Sequence, residues 1–318
     1  MFLFFRNLLL FLLFSGIFYV FGTALIGIFA PRLTKNLNYR IGTGGNLYTR
    51  IRDADTVKNV DVMVLGSSHA YRSFDPRLFK KHRLSMFNLG SSAQSYLQTK
   101  VMVNRYIDQF NPKLILLEVY AGLLNTDGVE SSVDFIANSP IDNDIIKMAF
   151  EVNHIKTYNT LIYGLFRQAL KLDRGYKEPK TKSNGDVYIP GGFVQTYETI
   201  NEKELLSFEE ENIYRIKSKQ AAAFLAIIQE LKDRQIPYLL IQTPILSSRF
   251  RSYTNVTEID SFYKQYGPYI NLNHELTLPP SSYYDSHHLN QHGVDTMNAY
   301  LFKTYGAFIE ALIANGNQ

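Results

Sequence analysis

The sequence contains no cysteine in its 318 residues. This absence excludes disulfides, thiolate zinc sites, iron–sulfur clusters and cysteine nucleophiles. It leaves the redox compartment open, because a chain without thiols tolerates either environment. Any nucleophile in this protein is therefore an oxygen or a nitrogen atom.

A large excess of one charge sign is also absent, since 33 Lys and Arg residues stand against 29 Asp and Glu residues, a net charge of +4. Spread over so long a chain, this excess is too dilute to form a phosphate-binding face, and we expect no nucleic-acid partner. With 46% hydrophobic and 19% charged residues, the composition excludes disordered, collagen-like and polytopic membrane classes. It predicts a folded chain of one or two domains.

Charged residues are missing altogether from Asn7 to Pro31. Within this stretch, Leu8–Ala30 would span about 34 Å as a helix, enough to cross a bilayer. A cleaved signal peptide has a shorter apolar core followed by small residues, and a buried core helix usually keeps a polar stripe. We therefore predict an uncleaved single-pass anchor over residues 1–31, with the lipid bilayer as its partner, and a juxtamembrane segment over residues 32–58.

The remaining chain, residues 59–318, alternates short apolar runs with helix-length stretches. The runs Val60–Leu65, Ser85–Leu89, Leu114–Val119, Pro237–Thr243 and, more weakly, Tyr269–Leu272 are typical of buried parallel strands. Helical spacing of apolar residues predicts helices within Ser91–Phe110, over Glu209–Arg234, and from Gln291 towards Ile313. This alternation predicts an open α/β sheet with helices on both faces.

Residues 121–200 do not follow that rhythm. They contain a stretch with helical character, Ile145–Leu170, and a polar, lysine-rich piece, Lys177–Gly192. We interpret the segment as an insertion. Insertions that follow strand ends in an open α/β sheet overhang the binding site, so it is either a lid that selects substrate or a solvated surface excursion.

Polar residues that carry chemistry stand near the two ends of this region. Gly66-Ser67-Ser68-His69 follows the first buried strand, where a serine is presented at the carboxyl edge of the sheet. Near the other end, Asp285 and His288 lie three residues apart, a spacing that lets a carboxylate orient an imidazole. An imidazole oriented in this way can take the proton of a serine hydroxyl. Taken separately, the serine is equally a helix cap, and the histidine a surface residue.

Together, Gly66-Ser67-Ser68-His69 and the later Asp285-Ser286-His287-His288-Leu289-Asn290 resemble the SGNH (GDSL-like) hydrolase superfamily from about Val60 onwards. The resemblance implies a flavodoxin-like three-layer α/β/α fold with a mostly parallel sheet. It also implies Ser68 as the nucleophile, His288 as the base and Asp285 as the acid. The backbone N–H groups of Ser68 and Gly90 form the oxyanion hole, and no cofactor or metal is required.

The resemblance is closest to membrane-anchored bacterial envelope members, which are esterases or O-acyltransferases. It therefore implies an acylated polysaccharide or another ester as substrate, and a single-pass protein of the bacterial inner or plasma membrane with its catalytic body outside the cytoplasm. The charges beside the apolar run argue weakly the other way, because Arg6 is outnumbered by Arg32, Lys35 and Arg40.

Two positions depart from the family pattern. Ser67 replaces the family aspartate, and no asparagine follows the third strand, where the sequence reads Glu118-Val119-Tyr120-Ala121-Gly122. Losing one oxyanion donor costs about two to three orders of magnitude in rate. Either another group, from among Tyr120, Gln94 and Asn88, takes its place, or the activity is slow. The missing asparagine also supports an alternative function, a catalytically inactive SGNH-fold binding or assembly protein of the cell envelope.

Several neighbouring residues have open roles. His69 and His287 compete with His288 as the base, and His287, His288, His292 and Asp285 could instead ligate zinc. Arg72 is either a ligand for an anionic substrate group or half of a buried salt bridge. Tyr120 is a further candidate substrate-binding residue, and Tyr283 and Tyr284 are placed to stack on a sugar ring.

Overall fold

The computed structural model describes residues 1–205 and 211–316. The strands are β1 (Val62–Leu65), β2 (Met86–Asn88), β3 (Leu114–Glu118), β4 (Val187–Ile189), β5 (Phe193–Gln195), β6 (Tyr238–Gln242) and β7 (Tyr269–Asn271). The helices are α1 (Phe2–Phe29), α2 (Leu47–Ala54), α3 (Ser68–Tyr71), α4 (Pro76–Lys81), α5 (Tyr96–Phe110), α6 (Val129–Asn138), α7 (Asn143–Val152), α8 (Ile155–Ala169), α9 (Glu202–Leu205), α10 (Ser218–Asp233), α11 (Ser247–Arg251), α12 (Val256–Lys264), α13 (Leu272–Glu275) and α14 (Gln291–Asn315). Short 3₁₀ turns cover Pro31–Leu33, Ala121–Asn125 and Pro280–Ser282.

Within the described residues, five strands form a parallel sheet in the order β2-β1-β3-β6-β7. This is the flavodoxin-like order of doubly wound folds. The central strands are apolar along almost their whole length because helices cover both faces of the sheet. The predicted α/β fold is confirmed, and each predicted strand is present with its ends shifted by at most two residues.

Alternate residues of each central strand face opposite cores. On β1, Met63 and Leu65 pack into a core with α5 and α10, while Val62 and Val64 pack into a second core with α4 and α14. The sheet is therefore the middle of three layers. Helix α2, which lies inside the predicted juxtamembrane segment 32–58, buries Leu47 in the first of these cores.

The segment from 121 to 200 holds helices α6, α7 and α8 and the antiparallel hairpin of β4 and β5. The expectation of one helical stretch over Ile145–Leu170 is wrong in one respect, because the chain breaks between α7 and α8. Asn153 there adopts a left-handed conformation with φ of 53°, and the His154 side chain caps α8. Asparagine tolerates this conformation better than most residues, which lets the two helices turn against each other.

Helix α10 is shorter than the sequence indicates. The predicted start at Glu209 lies outside the described residues, and the described residues 211–217 are not helical. Ile213 continues the apolar spacing of the helix, yet it is 61% exposed. Apolar periodicity alone therefore placed the N-terminus too early, and the helix begins at Ser218.

Among the described residues, α1 is the one helix long and apolar enough to cross a membrane, with 28 residues and a mean hydropathy of 2.3 over its most apolar window. Its N-terminal half is exposed, and its C-terminal half packs on α8. Phe21 makes an edge-to-face contact with Phe166, with ring centroids 5.7 Å apart. The Tyr19 hydroxyl donates a hydrogen bond to Asn159 Oδ1. The apolar helix is thus attached to the body along part of its length.

Candidate active site

Ser68 lies at the carboxyl end of β1, in the turn that leads into α3. Gly66 makes this turn possible with φ of +141°, a conformation that side chains disfavour. A Cβ at Gly66 would also stand 2.7 Å from the Cβ of Glu118. Ser67 caps α3 through its hydroxyl, which accepts from the His69 N–H at 3.3 Å. The turn thereby places the Ser68 side chain at the edge of the sheet.

Asp285 and His288 lie in the loop between the 3₁₀ turn Pro280–Ser282 and α14. The Tyr284 N–H donates to the His288 carbonyl at 2.8 Å, which closes the loop. Asn290 then caps α14 by accepting from the Gly293 N–H at 3.2 Å. Local hydrogen bonds on both sides therefore hold the loop that carries the two residues.

The structure brings Ser68, His288 and Asp285 together. The Ser68 Oγ lies 2.8 Å from His288 Nε2. On the other side of the ring, His288 Nδ1 lies 2.8 Å from Asp285 Oδ2 and 2.9 Å from Asp285 Oδ1. A hydroxyl, an imidazole and a carboxylate in this order form the arrangement that makes serine a nucleophile.

The Asp285 carboxylate is held in its ionised form. Its Oδ1 also accepts the backbone N–H groups of His287 and His288, both at 2.8 Å. Burial by itself raises the pKa of Asp285, but hydrogen bonds from the His288 ring and these backbone groups outweigh that effect and lower the pKa below its ordinary value. The carboxylate can therefore stabilise a positive charge on the His288 ring.

Neither of the other two histidines hydrogen-bonds Ser68 within the described residues. His69 is buried and stacks on Tyr120, with ring centroids 4.1 Å apart, and burial lowers the pKa of His69 well below its ordinary value. Burial, with the Arg249 charge nearby, lowers the pKa of His287 to about 4. Both rings are therefore neutral near pH 7, and they line the cavity beside His288.

The four residues considered above as zinc ligands, Asp285, His287, His288 and His292, do not form a metal-binding group in the described structure. His288 uses one ring nitrogen towards Asp285 and the other towards Ser68, and the His292 ring lies against Tyr197. In residues 1–205 and 211–316, no group of three or more His, Asp or Glu side chains is placed to hold a metal ion.

The predicted oxyanion donors differ in availability. In residues 1–205 and 211–316, the Ser68 backbone N–H has no acceptor within hydrogen-bond reach. The Gly90 N–H instead donates to Asn88 Oδ1 at 3.0 Å, and Gly90 does not line the cavity. Further along the same loop, Ser92 and Ala93 do line it. The loop after β2 thus faces the site through residues beyond Gly90.

Two of the three candidate replacements for the missing asparagine are occupied elsewhere. The Asn88 amide donates to the Ala70 carbonyl at 2.8 Å. The Gln94 amide donates to Thr99 Oγ1 at 3.1 Å, and its oxygen accepts from Ser91 Oγ at 2.8 Å. Tyr120 lines the cavity, and burial raises the pKa of its hydroxyl well above the ordinary value. Tyr120 is therefore neutral and is the one of the three that lines the cavity, although its hydroxyl also interacts with Tyr214 and Tyr253.

Arg72 forms a buried salt bridge. Its two terminal nitrogens lie 2.9 and 2.6 Å from the Asp186 carboxylate oxygens, and its guanidinium stands over the Tyr284 ring at 4.8 Å. Asp186, just before β4, was not among the residues identified from sequence. Its partner lies 114 positions away, and one acidic residue in a polar stretch gives no local sign of such a pair.

Glu118 is a second residue that the sequence patterns did not single out. It ends β3, is fully buried, and accepts from Ser67 Oγ at 3.4 Å. Burial raises the pKa of Glu118 to about 8. Its position under the serine turn supports that turn, and its side chain is not among those that line the cavity.

A cavity of about 580 Å³ opens over Ser68 and His288. Gly122, Leu123, Thr126 and Glu130, all from the segment 121–200, contribute to its wall. A second cavity of about 710 Å³ shares Tyr284 and Asp285 with the first and is lined elsewhere by polar side chains such as Asn184, Thr199 and Asn201. The two cavities therefore meet at the loop that carries the acid.

No family model matches the sequence, and no curated protein matches it. Among solved structures, a Bacteroides fragilis protein assigned as an acylhydrolase is 11% identical with a TM-score of 0.42, covering 83% of this chain and 98% of that one. A GDSL-like lipase from Bacteroides thetaiotaomicron is 11% identical with a TM-score of 0.38, covering 82% and 97%. A family 3 carbohydrate esterase from Clostridium thermocellum is 12% identical with a TM-score of 0.31, covering 80% and 100%. Similarities this remote do not assign a function to this chain.

Proposed function

We propose that this protein is a membrane-anchored serine esterase or O-acyltransferase that acts on an acylated cell-envelope glycan. One observation carries the proposal: Ser68 Oγ lies 2.8 Å from His288 Nε2, while His288 Nδ1 is held by the Asp285 carboxylate. These residues come from distant parts of the sequence, and their convergence in one cavity is what nucleophilic catalysis by serine requires.

The proposed reaction proceeds through an acyl-enzyme. His288 Nε2 takes the Ser68 proton as Ser68 Oγ attacks the ester carbonyl carbon, and the resulting imidazolium gives that proton to the departing alcohol oxygen. His288 Nε2 then takes a proton from water or from a sugar hydroxyl as that oxygen attacks the acyl carbon. The imidazolium returns the proton to Ser68 Oγ as the bond between Ser68 Oγ and the acyl carbon breaks, which regenerates the free serine. Asp285 remains ionised throughout, in accordance with its lowered pKa.

The oxyanion that forms in each step needs backbone or side-chain donors. In this proposal the Ser68 N–H is one donor, as the family resemblance implies. The second comes from the Ser92 and Ala93 region, because these residues line the cavity and the Gly90 N–H is already bonded to Asn88. Tyr120 stands at the position where the family has an asparagine, and its neutral hydroxyl is a further donor only when it turns from Tyr214 and Tyr253 towards the oxyanion.

The shape and chemistry of the site support a hydroxyl-rich polymer as substrate. The reactive cavity carries the aromatic rings of Tyr71, Tyr120 and Tyr284, and the adjoining cavity is lined by amide, hydroxyl and charged side chains, the last from Lys182, Glu198 and Glu204. Sugars bind to such combinations of aromatic faces and polar groups. Because the two cavities meet at Tyr284, a chain longer than one sugar unit can lie across the site.

Helix α1 supports the membrane anchor over residues 1–31. Its apolar length is compatible with one crossing of a bacterial inner or plasma membrane. The extracytoplasmic position of the body follows from the resemblance to envelope enzymes. Protease accessibility of the body in spheroplasts, whose inner or plasma membrane is intact, tests it, since a body that is protected until the spheroplasts are lysed contradicts this part of the proposal.

The second candidate function is a catalytically inactive envelope protein that binds or assembles other components. It is favoured by the missing asparagine after β3 and by the hydrogen bond that occupies the Gly90 N–H. Both features weaken oxyanion stabilisation without affecting the fold.

Replacement of the nucleophile distinguishes the two functions. We expect the full-length protein in detergent to hydrolyse p-nitrophenyl acetate and to be labelled by a fluorophosphonate probe. Ser68→Ala should reduce turnover about a thousandfold or more and abolish labelling, because Ser68 Oγ is the one oxygen bonded to His288 Nε2 among the described residues. Ser183→Ala, the same change in the adjoining cavity, is the matched control. Turnover and labelling that survive in Ser68→Ala would contradict the triad, and a parent protein without either activity would favour the binding protein.

The two adjacent histidines provide a second comparison. His288→Gln should remove activity almost as completely as Ser68→Ala, because the proton acceptor is lost. His287→Gln should retain most of it, since the His287 ring is not bonded to Ser68. Steady-state rates at pH 7 measure both. Equal losses of activity in the two variants would contradict the assignment of His288 as the base.

A further inference from the structure

Exposed apolar residues form a continuous stripe along α8. Ile155, Tyr158, Ile162, Leu165 and Ala169 follow one another at spacings of three and four, which places them on one side of the helix. None of them is buried, and Ile155 and Leu165 are 47% and 44% exposed. Single exposed apolar residues are ordinary on protein surfaces, but a whole helical stripe is not.

The packing of α1 on α8 shows which way this stripe faces. Asn159 and Phe166 of α8 contact Tyr19 and Phe21, which lie towards the N-terminus of α1. Tyr163 lies against Gly27, further towards its C-terminus. Successive residues of a helix are about 100° apart around its axis. In order around the axis of α8, Tyr163 comes first, Asn159 and Phe166 follow, and the exposed stripe comes next. The stripe therefore faces the N-terminal end of α1.

The length of α1 sets the level at which α8 lies. The exposed part, Phe2–Phe18, extends about 26 Å as a helix, close to the roughly 30 Å thickness of a hydrocarbon core. This segment lies closer to the N-terminus than the Leu8–Ala30 span expected from the sequence, and it includes Arg6, whose long side chain reaches the headgroup region by snorkelling. Tyr19 and Phe21 then lie where the helix leaves that core, and tyrosine is enriched at this depth. Helix α8 packs on these two residues, so its stripe lies at the same level.

The residues beside α8 include basic side chains, which are typical of the membrane headgroup region. Lys171 and Arg174 follow the helix and are exposed. Basic residues next to an apolar helical face are attracted to anionic lipid headgroups. Leu170 and Leu172 add two further exposed apolar side chains in this region.

We infer that α8 is an interfacial helix, whose stripe Ile155–Tyr158–Ile162–Leu165–Ala169 lies in the headgroup region of the membrane that α1 crosses. The inference rests on the membrane anchoring proposed above. The occupant of the apolar face is a lipid surface, because the face continues the lipid-facing surface of α1 and is flanked by basic residues. The body is then attached to the membrane at two places, and not by a flexible stalk.

Single tryptophans test this arrangement cleanly because the sequence contains none. Four full-length variants are reconstituted into phosphatidylcholine–phosphatidylglycerol vesicles: Ile155→Trp and Leu165→Trp on the stripe, Leu12→Trp in α1, and Phe308→Trp on α14. Phe308 is exposed and lies on the helix layer across the sheet from α8. Lipids brominated near the headgroup or near the chain end quench tryptophans at the corresponding depths.

We expect loss of fluorescence with shallow bromines for Ile155→Trp and Leu165→Trp, loss with deep bromines for Leu12→Trp, and no loss for Phe308→Trp. If Leu12→Trp is quenched but both stripe variants behave like Phe308→Trp, the anchor stands and the interfacial helix is wrong. If Leu12→Trp is not quenched either, the anchor itself is wrong. Stripe variants shielded from aqueous iodide without quenching by brominated lipid would show that a second copy of the chain covers the stripe, which also overturns the inference.

Discussion

Glu118 is an acidic residue that the fold keeps away from water directly beneath the serine turn. Burial raises the pKa of Glu118 from 4.5 to about 8, so the folded chain holds this proton at pH values where the unfolded chain releases it. The contribution is fully favourable below pH 4.5 and is lost as the pH rises through about 8. The parent protein should therefore lose stability over this range.

Replacement with glutamine keeps the shape of Glu118 and removes the proton. We expect Glu118→Gln to reduce the fall in the free energy of unfolding between pH 5 and pH 8, and to be more stable than the parent at the upper end. Denaturant titrations at several pH values measure this slope. Glu310→Gln, the same change at an exposed position of α14, is the control, and identical slopes for parent and Glu118→Gln would contradict the prediction.

At the same scale, the catalytic candidates were accessible from sequence for a simple reason. Asp285 and His288 are close in the chain, and their contact depends on local spacing. Ser68 follows a strand whose apolar run is readily identified. Glu118 and Asp186 gave no such sign, because their importance comes from burial and from partners distant in sequence.

Among the elements, the β4–β5 hairpin is tied to the serine turn by the buried Arg72–Asp186 pair. Removing one partner leaves a buried charge uncompensated, which costs about 3 to 5 kcal/mol. We expect Asp186→Asn to lower the free energy of unfolding by about that amount, and the double variant Arg72→Met, Asp186→Leu to cost less than Asp186→Asn. Denaturant unfolding of both variants measures this.

An exposed ion pair provides the matched comparison. Asp108 pairs with Arg234 at 2.5 Å, but the Asp108 side chain is 78% exposed. We expect Asp108→Asn to cost less than about 1 kcal/mol because water screens the charges. If Asp186→Asn costs no more than Asp108→Asn, the hairpin is not held in the way described.

Element boundaries also show where sequence patterns stop being informative. Strands were identified well because parallel strands buried on both faces are nearly uniformly apolar. The start of α10 was placed too early because Ile213 continues the helical spacing while its side chain lies outside the core. The break at Asn153 depends on how α7 and α8 pack against their neighbours, and spacing does not record that.

For the whole molecule, the attachment of α1 to the body depends on a close approach at Gly27. A Cβ added there would overlap the Tyr163 ring, whereas a Cβ at Gly22 meets nothing within 4 Å. We expect Gly27→Ala to destabilise the detergent-solubilised protein by about 1 to 3 kcal/mol through overpacking. Gly22→Ala should be neutral or slightly stabilising, because alanine favours helix.

Thermal unfolding of both variants in the same detergent distinguishes the two positions. Equal unfolding temperatures for Gly27→Ala and Gly22→Ala would mean that α1 does not pack on α8 as described. A lower temperature for Gly27→Ala alone would support a rigid attachment of the apolar helix.

The bond between Ser68 and His288 joins residues 220 positions apart. During synthesis, the apolar first helix leaves the ribosome long before the loop that carries the histidine. In the enzyme proposed above, the growing chain therefore carries an unactivated Ser68 hydroxyl while α1 is already made, and a chain that stops before Asp285 lacks the triad. The proposed activity is then assembled last, after the proposed anchor has formed.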